Sequence, residues 1–249
     1  MPYNSAKKNN DWRIYERIVA AFEAENVDIN MSVTPNARII GNISGQERQI
    51  DVLIDARWDD DISKRVIVDA KLYRTKLNIK DVESFEGMMR DCRAQRGILV
   101  CPNGWTKGAE RRAQDAITMK LLAPEEMDDS TSWACFDECR GECFTTSRAR
   151  SEVGLVLWDA QHLLEIESLW AIAYTGKCDV CHNFHIWCWD CGERFALMDE
   201  HEYECSCGRL WVSAIEEEID DSTGITLSAV HLFLITGEYS LPLDRRRFR

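Results

Sequence analysis

The sequence predicts an α/β fold followed by a small cysteine-rich β module. Three observations carry this: an amphipathic opening segment followed by short strand-like runs, a return to helical spacing after residue 80, and six cysteines in close pairs between Cys178 and Cys207. At 249 residues with 45% hydrophobic content, the chain is long enough for one core domain and a smaller accessory one.

The elements follow in order. In DWRIYERIVAAFEAENV, Trp12, Tyr15, Ile18, Val19 and Phe22 share one face at helical spacing, with Glu16 beside the stripe. Strand-like runs at DINMSVT, ARIIGNI, RQIDVLID and KRVIVDAKLY are separated by Asn, Gly and Asp clusters, which fits a short antiparallel meander. DVESFEGMMRDCRAQ places Val82, Phe85, Met89 and Cys92 at helical spacing, GILVCP is a short buried strand, and TKGAERRAQDAITMKLL reads as a further helix after the turn PNGW. Residues 123–150 shift to acidic and small polar residues and read as an excursion from the core. VGLVLWDAQHLLEIESLW then resumes with an apolar strand and a helix. The expected organisation is a first domain over 1–173, interrupted by that excursion, and a cysteine-rich domain over 174–249.

Charge is distributed unevenly. Residues 1–122 hold 20 Lys+Arg against 18 Asp+Glu, and residues 123–249 hold 10 against 25, so the net charge of -13 sits almost wholly in the second half. A polyanionic partner therefore stays open for the first half, more so if some of its acids hold a divalent cation. The opening MPYNSAKKNNDW has no apolar leader-like run, and ITLSAVHLFLIT is too short to span a bilayer, so a soluble, cytoplasmic protein without a membrane partner is expected. There, eleven cysteines point to thiols or metal rather than disulfides.

Charges inside the strand-like runs need a reason. On a strand, Asp69 and Lys71 point to one face, while Val68, Ala70 and Leu72 point to the other. If Asp51 is aimed at the same spot, two carboxylates and an ammonium converge. Two carboxylates without a cation would repel until one took up a proton, so a divalent metal is the natural occupant, and magnesium suits hard oxygen ligands that leave room for water.

The order Glu16, Asp51, then Asp69-Ala70-Lys71, with GQERQIDVLI, VIVDAKLY and GILVCPNGWTKGA, resembles the PD-(D/E)xK nucleases, in their Mrr-type restriction endonuclease branch. The likeness runs over about residues 11–122. It implies a restriction-endonuclease-like mixed sheet flanked by helices and metal-dependent hydrolysis of DNA phosphodiesters. It also implies roles: Asp51 and Asp69 as magnesium ligands, Lys71 as the lysine that positions the attacking water, and Glu16 as an acid often found on the first helix. Two departures stand out, Ile50 where the family often has Pro, and Asp rather than Glu at position 69. Gln49 is read as touching the site or supporting strand pairing, and Lys107 and Arg111, near a helix N-terminus, as contacting phosphate or, more in keeping with their place, as a solvated face.

Cys188-x-x-Cys191-Gly followed by Cys205-x-Cys207-Gly resembles a zinc ribbon, with two thiolate knuckles on glycine-relieved turns. The third pair, Cys178-x-x-Cys181, leaves two options: joining Cys188 and Cys191, or a second zinc completed by His182, His185 or His201. Cys135, Cys139 and Cys143 stand four apart and read as small half-buried side chains, because metal sites more often use tighter pairs. Trp187, Trp189 and Trp211 read as the core of this small domain, with base stacking as the alternative.

The function expected from the resemblance is a magnesium-dependent DNA endonuclease with structural zinc, serving in antiviral defence, as a homodimer or with a partner defence subunit. The alternatives are a non-catalytic zinc-containing adaptor that binds nucleic acid or protein, or a repair or junction-resolving nuclease on the same fold.

Overall fold

The computed structural model of the chain describes residues 11–59, 61–120, 136–143, 154–166, 169–219, 226–237 and 239–247. It divides into two compact units, Met1–Trp133 and Ala134–Arg249.

The first unit is a mixed sheet with helices. α1 (Asp11–Asn26) buries Tyr15, Ile18 and Val19, as its periodicity requires, while Trp12 and Phe22 stay exposed. β1 (Met31–Ile40), β2 (Glu47–Ala56) and β3 (Val66–Ala70) form the antiparallel meander, and β4 (Arg96–Val100) and β5 (Ile117–Lys120) extend it in parallel, in the order β1-β2-β3-β4-β5. The two runs expected at DINMSVT and ARIIGNI are one strand, kinked at Asn36, whose φ is 51°. α2 (Ile79–Asp91) starts at a capping box in which the Asn78 side-chain Oδ1 accepts the Lys80 N–H and the Asp81 carboxylate accepts the Asn78 N–H.

One expectation here needs correcting. TKGAERRAQDAITMKLL is not one helix: α3 (Lys107–Ala113) stops where Gln114 turns left-handed at φ 58°, and the β-branched Ile117 and Thr118 go into β5.

The two faces of the sheet have different cover. Leu53, Ile67 and Leu99 pack with Val82, Phe85 and Met89 of α2 and Ala109 of α3. Lys120 stands opposite Val100 and bridges the buried Glu23 of α1 at 2.7 Å, which places α1 on the other side.

The second unit is all β among its described strands. β6 (Phe136–Glu138), β7 (Leu155–Ile166), β8 (Leu169–Cys178), β9 (Phe184–Cys188) and β10 (Arg194–Leu197) form one antiparallel sheet. β11 (Glu202–Glu204), β12 (Leu210–Ile219), β13 (Thr226–Thr236) and β14 (Tyr239–Arg247) form another. Phe184 and Ile186 of the first pack with Trp211, Val230, Leu232 and Leu243 of the second, so the sheets share one apolar core. Lys177 is buried in this unit, 2.8 Å from Asp244 and 3.4 Å from Asp159.

The helix expected after the apolar strand at VGLVLW is absent. Ala160 and His162 are buried while Gln161, Leu163 and Glu165 are exposed, a period of two that makes this stretch the strand β7. β7 pairs with β8 nearly throughout, and β6 adds to its other edge. The units therefore part at Trp133/Ala134, and not at 173/174 as expected, because that boundary would split a hairpin.

Candidate functional site

The acidic site forms where the sheet stops being a sheet. β2 and β3 pair at Ile54↔Val66, Leu53↔Ile67 and Val52↔Val68, and continuing that register sets Asp51 opposite Asp69. There the Asp51 carboxylate takes over from a backbone acceptor: its Oδ2 receives the Ala70 N–H at 2.7 Å. Side chains directly opposite share a face, so Asp51 and Asp69 converge. Lys71 joins them two residues on, with Nζ 2.8 Å from Asp69 Oδ1. Its own N–H donates to Val100 O at 2.8 Å, which keeps the end of β3 against β4.

The electrostatics follow from this crowding. The pKa of Asp51 is pushed up to about 7, first by burial and then by the neighbouring charge of Asp69, against the Ala70 N–H, which favours the ionised form. Burial works against the Lys71 ammonium, yet Asp69, with Tyr73 and Asp51 beyond it, outweighs that and holds its pKa above the ordinary lysine value. One ammonium does not satisfy two carboxylates. The donor set is hard oxygen, and its unmet negative charge fits a divalent cation.

The other residues singled out in this unit fall elsewhere. Glu16 is half-buried on α1, the helix on the far side of the sheet. Gln49 donates from Nε2 to Asn36 Oδ1 at 2.9 Å and so ties β2 to the kink in β1. Lys107 and Arg111 are exposed on α3.

Cysteines gather at two places in the second unit. Cys188, Cys191, Cys205 and Cys207 form one group, and Cys139, Cys143, Cys178 and Cys181 another; within each, the four Sγ atoms lie within 4.8 Å of one another. Four thiolates around one ion at about 2.3 Å would stand about 3.8 Å apart. The Cys143–Cys178 and Cys188–Cys207 separations are 3.8 and 3.7 Å, and Cys139–Cys181 and Cys205–Cys207 are 3.5 and 3.3 Å. Each group can hold one metal ion.

The second group corrects both options for Cys178 and Cys181. They join neither Cys188 and Cys191 nor a histidine; their partners are Cys139 and Cys143, which sequence reasoning passed over. Cys135 lies outside the described residues. The histidines near this pair serve the backbone instead. His182 turns left-handed at φ 58° and donates its N–H to Cys178 O at 3.0 Å, as Gly192 does at φ 76° to Cys188 O at 2.8 Å in the twin turn. His185 accepts the Arg140 N–H at Nε2, with Nδ1 against Asn183 O, each at 3.0 Å. His201 Nδ1 is 2.7 Å from Asp199 O.

Both groups carry features of bound thiolate. Cys178 Sγ accepts the Val180 N–H at 3.3 Å and Cys139 Sγ the Gly141 N–H at 3.3 Å. Trp211 Nε1 donates to Cys205 Sγ at 3.4 Å, and Arg209 lies 3.7 Å from Cys188 Sγ and 3.8 Å from Cys207 Sγ. Without a cation the buried quartet cannot ionise fully: Cys139 and Cys181, and then burial, push Cys178 up, while hydrogen bonds from Cys139 and Cys178 hold Cys181 down.

Of the expected core tryptophans, only Trp211 is buried. Trp187 and Trp189 stack with Tyr174 on the other side of β8 and β9, with Trp189 half-exposed.

No helix among the described residues is long and apolar enough to cross a membrane. Comparison with curated proteins gives no match. Among solved structures, a crystal structure of a protein of unknown function, AF1548, is similar at 14% identity and a TM-score of 0.37; the match covers 48% of this chain and 65% of that one. The restriction endonuclease family, through its Mrr catalytic domain, matches residues 10–130, the span that holds Asp51, Asp69 and Lys71. This match supports a PD-(D/E)xK nuclease of the Mrr type over residues 10–130.

Proposed function

We propose that the chain is a magnesium-dependent DNA endonuclease acting in the cytoplasm in defence against foreign DNA, with one structural zinc ion in each four-cysteine group. The observation that carries it is the convergence of Asp51, Asp69 and Lys71 at the point where the β2–β3 ladder ends.

Asp51 and Asp69 would hold the cation, which when bound supplies Lewis-acid polarisation of the phosphate and a more acidic water. The rest is work for the chain's own groups. The Ala70 N–H fixes the Asp51 carboxylate, and Asp69 orients the Lys71 ammonium, which stays partly open to solvent. From there Lys71 directs a water at phosphorus and faces the negative charge that develops on the phosphoryl oxygens. Glu16, on α1 behind the sheet, is given no part in holding the cation. The eight thiolates suit zinc, and neither closed group leaves a position for a reacting water, so their role is to hold the turns of the β unit.

The test incubates purified protein with plasmid, linear duplex, single-stranded DNA and RNA, with and without magnesium. Expected is cleavage of DNA only with the metal, lost in Asp69→Asn. Cleavage of RNA alone, or cleavage undiminished without magnesium, refutes the reading.

A further inference from the structure

Five cations at the catalytic end of the first sheet pair with no acid among the described residues, and we propose that they form a track for the phosphate backbone of duplex DNA beside the scissile bond. The proposal rests on the nuclease reading above.

β3 and β4 are parallel, so the chain leaves both at the same end of the sheet, the end that carries Asp69 and Lys71. The two exit segments are fastened together there. Leu77 N–H donates to Gly104 O and Thr106 N–H to Leu77 O, each at 2.9 Å, and Leu77 is buried beneath them. Tyr73 is held as well, its N–H on Lys71 O at 2.7 Å and its carbonyl accepting from Asn103 Nδ2. A braced surface results, with Arg74, Lys76 and Lys80 on one segment and Lys107 and Arg111 on the other, all exposed.

None of the five has an ion-pair partner among the described residues, whereas Arg38, Arg48, Arg65, Arg90 and Lys120 of the same unit each pair with a carboxylate. Position separates them too. The other exposed cations of this unit without an ion pair among the described residues, Arg93 and Arg96, stand at the start of β4, the opposite end of the sheet. The acids near the track do not cancel it: Glu83 pairs with Arg112, which leaves Asp81 and Glu110 against five cations. Like charges gathered in excess of acids repel one another, and duplex DNA, with a phosphate charge about every 1.7 Å of its axis, is the polyanion that relieves this next to a phosphodiester-cutting site.

Salt dependence of binding tests the track separately from chemistry. Anisotropy of a labelled 20-base-pair duplex, without added divalent cation, is followed from about 50 to 200 mM salt. Arg74→Gln/Lys76→Gln and Lys107→Gln/Arg111→Gln should each lower the slope of log K against log salt by about 1.8, at about 0.9 per phosphate contact. Arg93→Gln/Arg96→Gln should leave it unchanged. Unaltered slopes in both track variants, or an equal loss in the control, overturns the proposal, as does tighter, track-dependent binding of duplex RNA. A protein that cleaves DNA in magnesium with unaltered slopes keeps the active site and loses the track. One that shows the slopes and never cleaves keeps the track and loses the nuclease.

Discussion

A divalent cation entering between Asp51 and Asp69 has to displace a proton at acidic pH, and the structure sets how much. Burial and the charge of Asp69 push the Asp51 pKa from 3.8 up to about 7. The carboxyl then carries about 0.9 proton at pH 6 and about 0.1 at pH 8. Each ion bound should release that amount, and the apparent affinity at pH 6 should lie about tenfold below its alkaline limit. The sign for stability runs the same way. A folded-state pKa above the unfolded one means this carboxyl costs the metal-free fold nothing below about pH 4 and at most on the order of 4 kcal/mol once pH has risen through 7. Calcium titration calorimetry at pH 6 and 8, in two buffers of different ionisation enthalpy, measures the proton number directly, and calcium does not compete for the thiolate sites. Asp51→Asn should abolish the proton release and weaken binding. Equal release at both pH values, or undiminished calcium binding in Asp51→Asn, refutes the reasoning.

Three further outcomes follow from named contacts. Asp69→Asn and Lys71→Ala should each slow cleavage by at least ~100-fold in a plasmid-nicking assay, with circular dichroism unchanged, because the first removes a carboxylate that would hold the cation and the second the ammonium that faces the reacting phosphate. The chain should purify with two zinc ions, and a colorimetric chelator should extract them in two phases: the first from Cys188, Cys191, Cys205 and Cys207, where Cys207 is exposed, and the second from the buried quartet. A single phase, or Arg209→Ala without effect on the faster one, counts against the thiolate contacts described. Lys177→Met should lower stability to urea by about 3–5 kcal/mol, because it leaves Asp159 and Asp244 buried without their cation, and the double change Lys177→Met/Asp244→Leu should recover part of it.

The acidic site was legible because a strand's alternation is a local property. Once VIVDAKL is read as a strand, Asp69 and Lys71 must share a face, and charge inside an apolar run needs a partner. Alternation does not show that Asp51 stands opposite Asp69, which depends on the β2–β3 register and so on the loop between them. The two errors of element type have a common cause. ITMK and DAQHLLEI contain residues that fit either period, and pairing with β4 and β8 decides them, which no window along the chain contains.

The cysteines show where spacing fails and where counting would have succeeded. Cys139 and Cys143 lie about forty residues before Cys181, and the register of β6 on β7 and β7 on β8 brings them together. The fit is close enough that a Cβ on Gly154 would stand 2.3 Å from Cys178 Sγ and 3.1 Å from Cys143 Sγ, so the strand passes the group only as glycine. Histidines drew attention because they adjoin Cys181, yet His182 is there for its left-handed backbone. A tetrahedral soft-metal site needs four ligands, and six close cysteines fill one site and leave two over. Those two need two more. Of the five cysteines left, Cys92 and Cys101 belong to the core of the first unit, so the missing ligands had to come from Cys135, Cys139 and Cys143. Ligand number, which is a property of the ion, thus carried information about tertiary pairing that the spacing of the thiols along the chain did not.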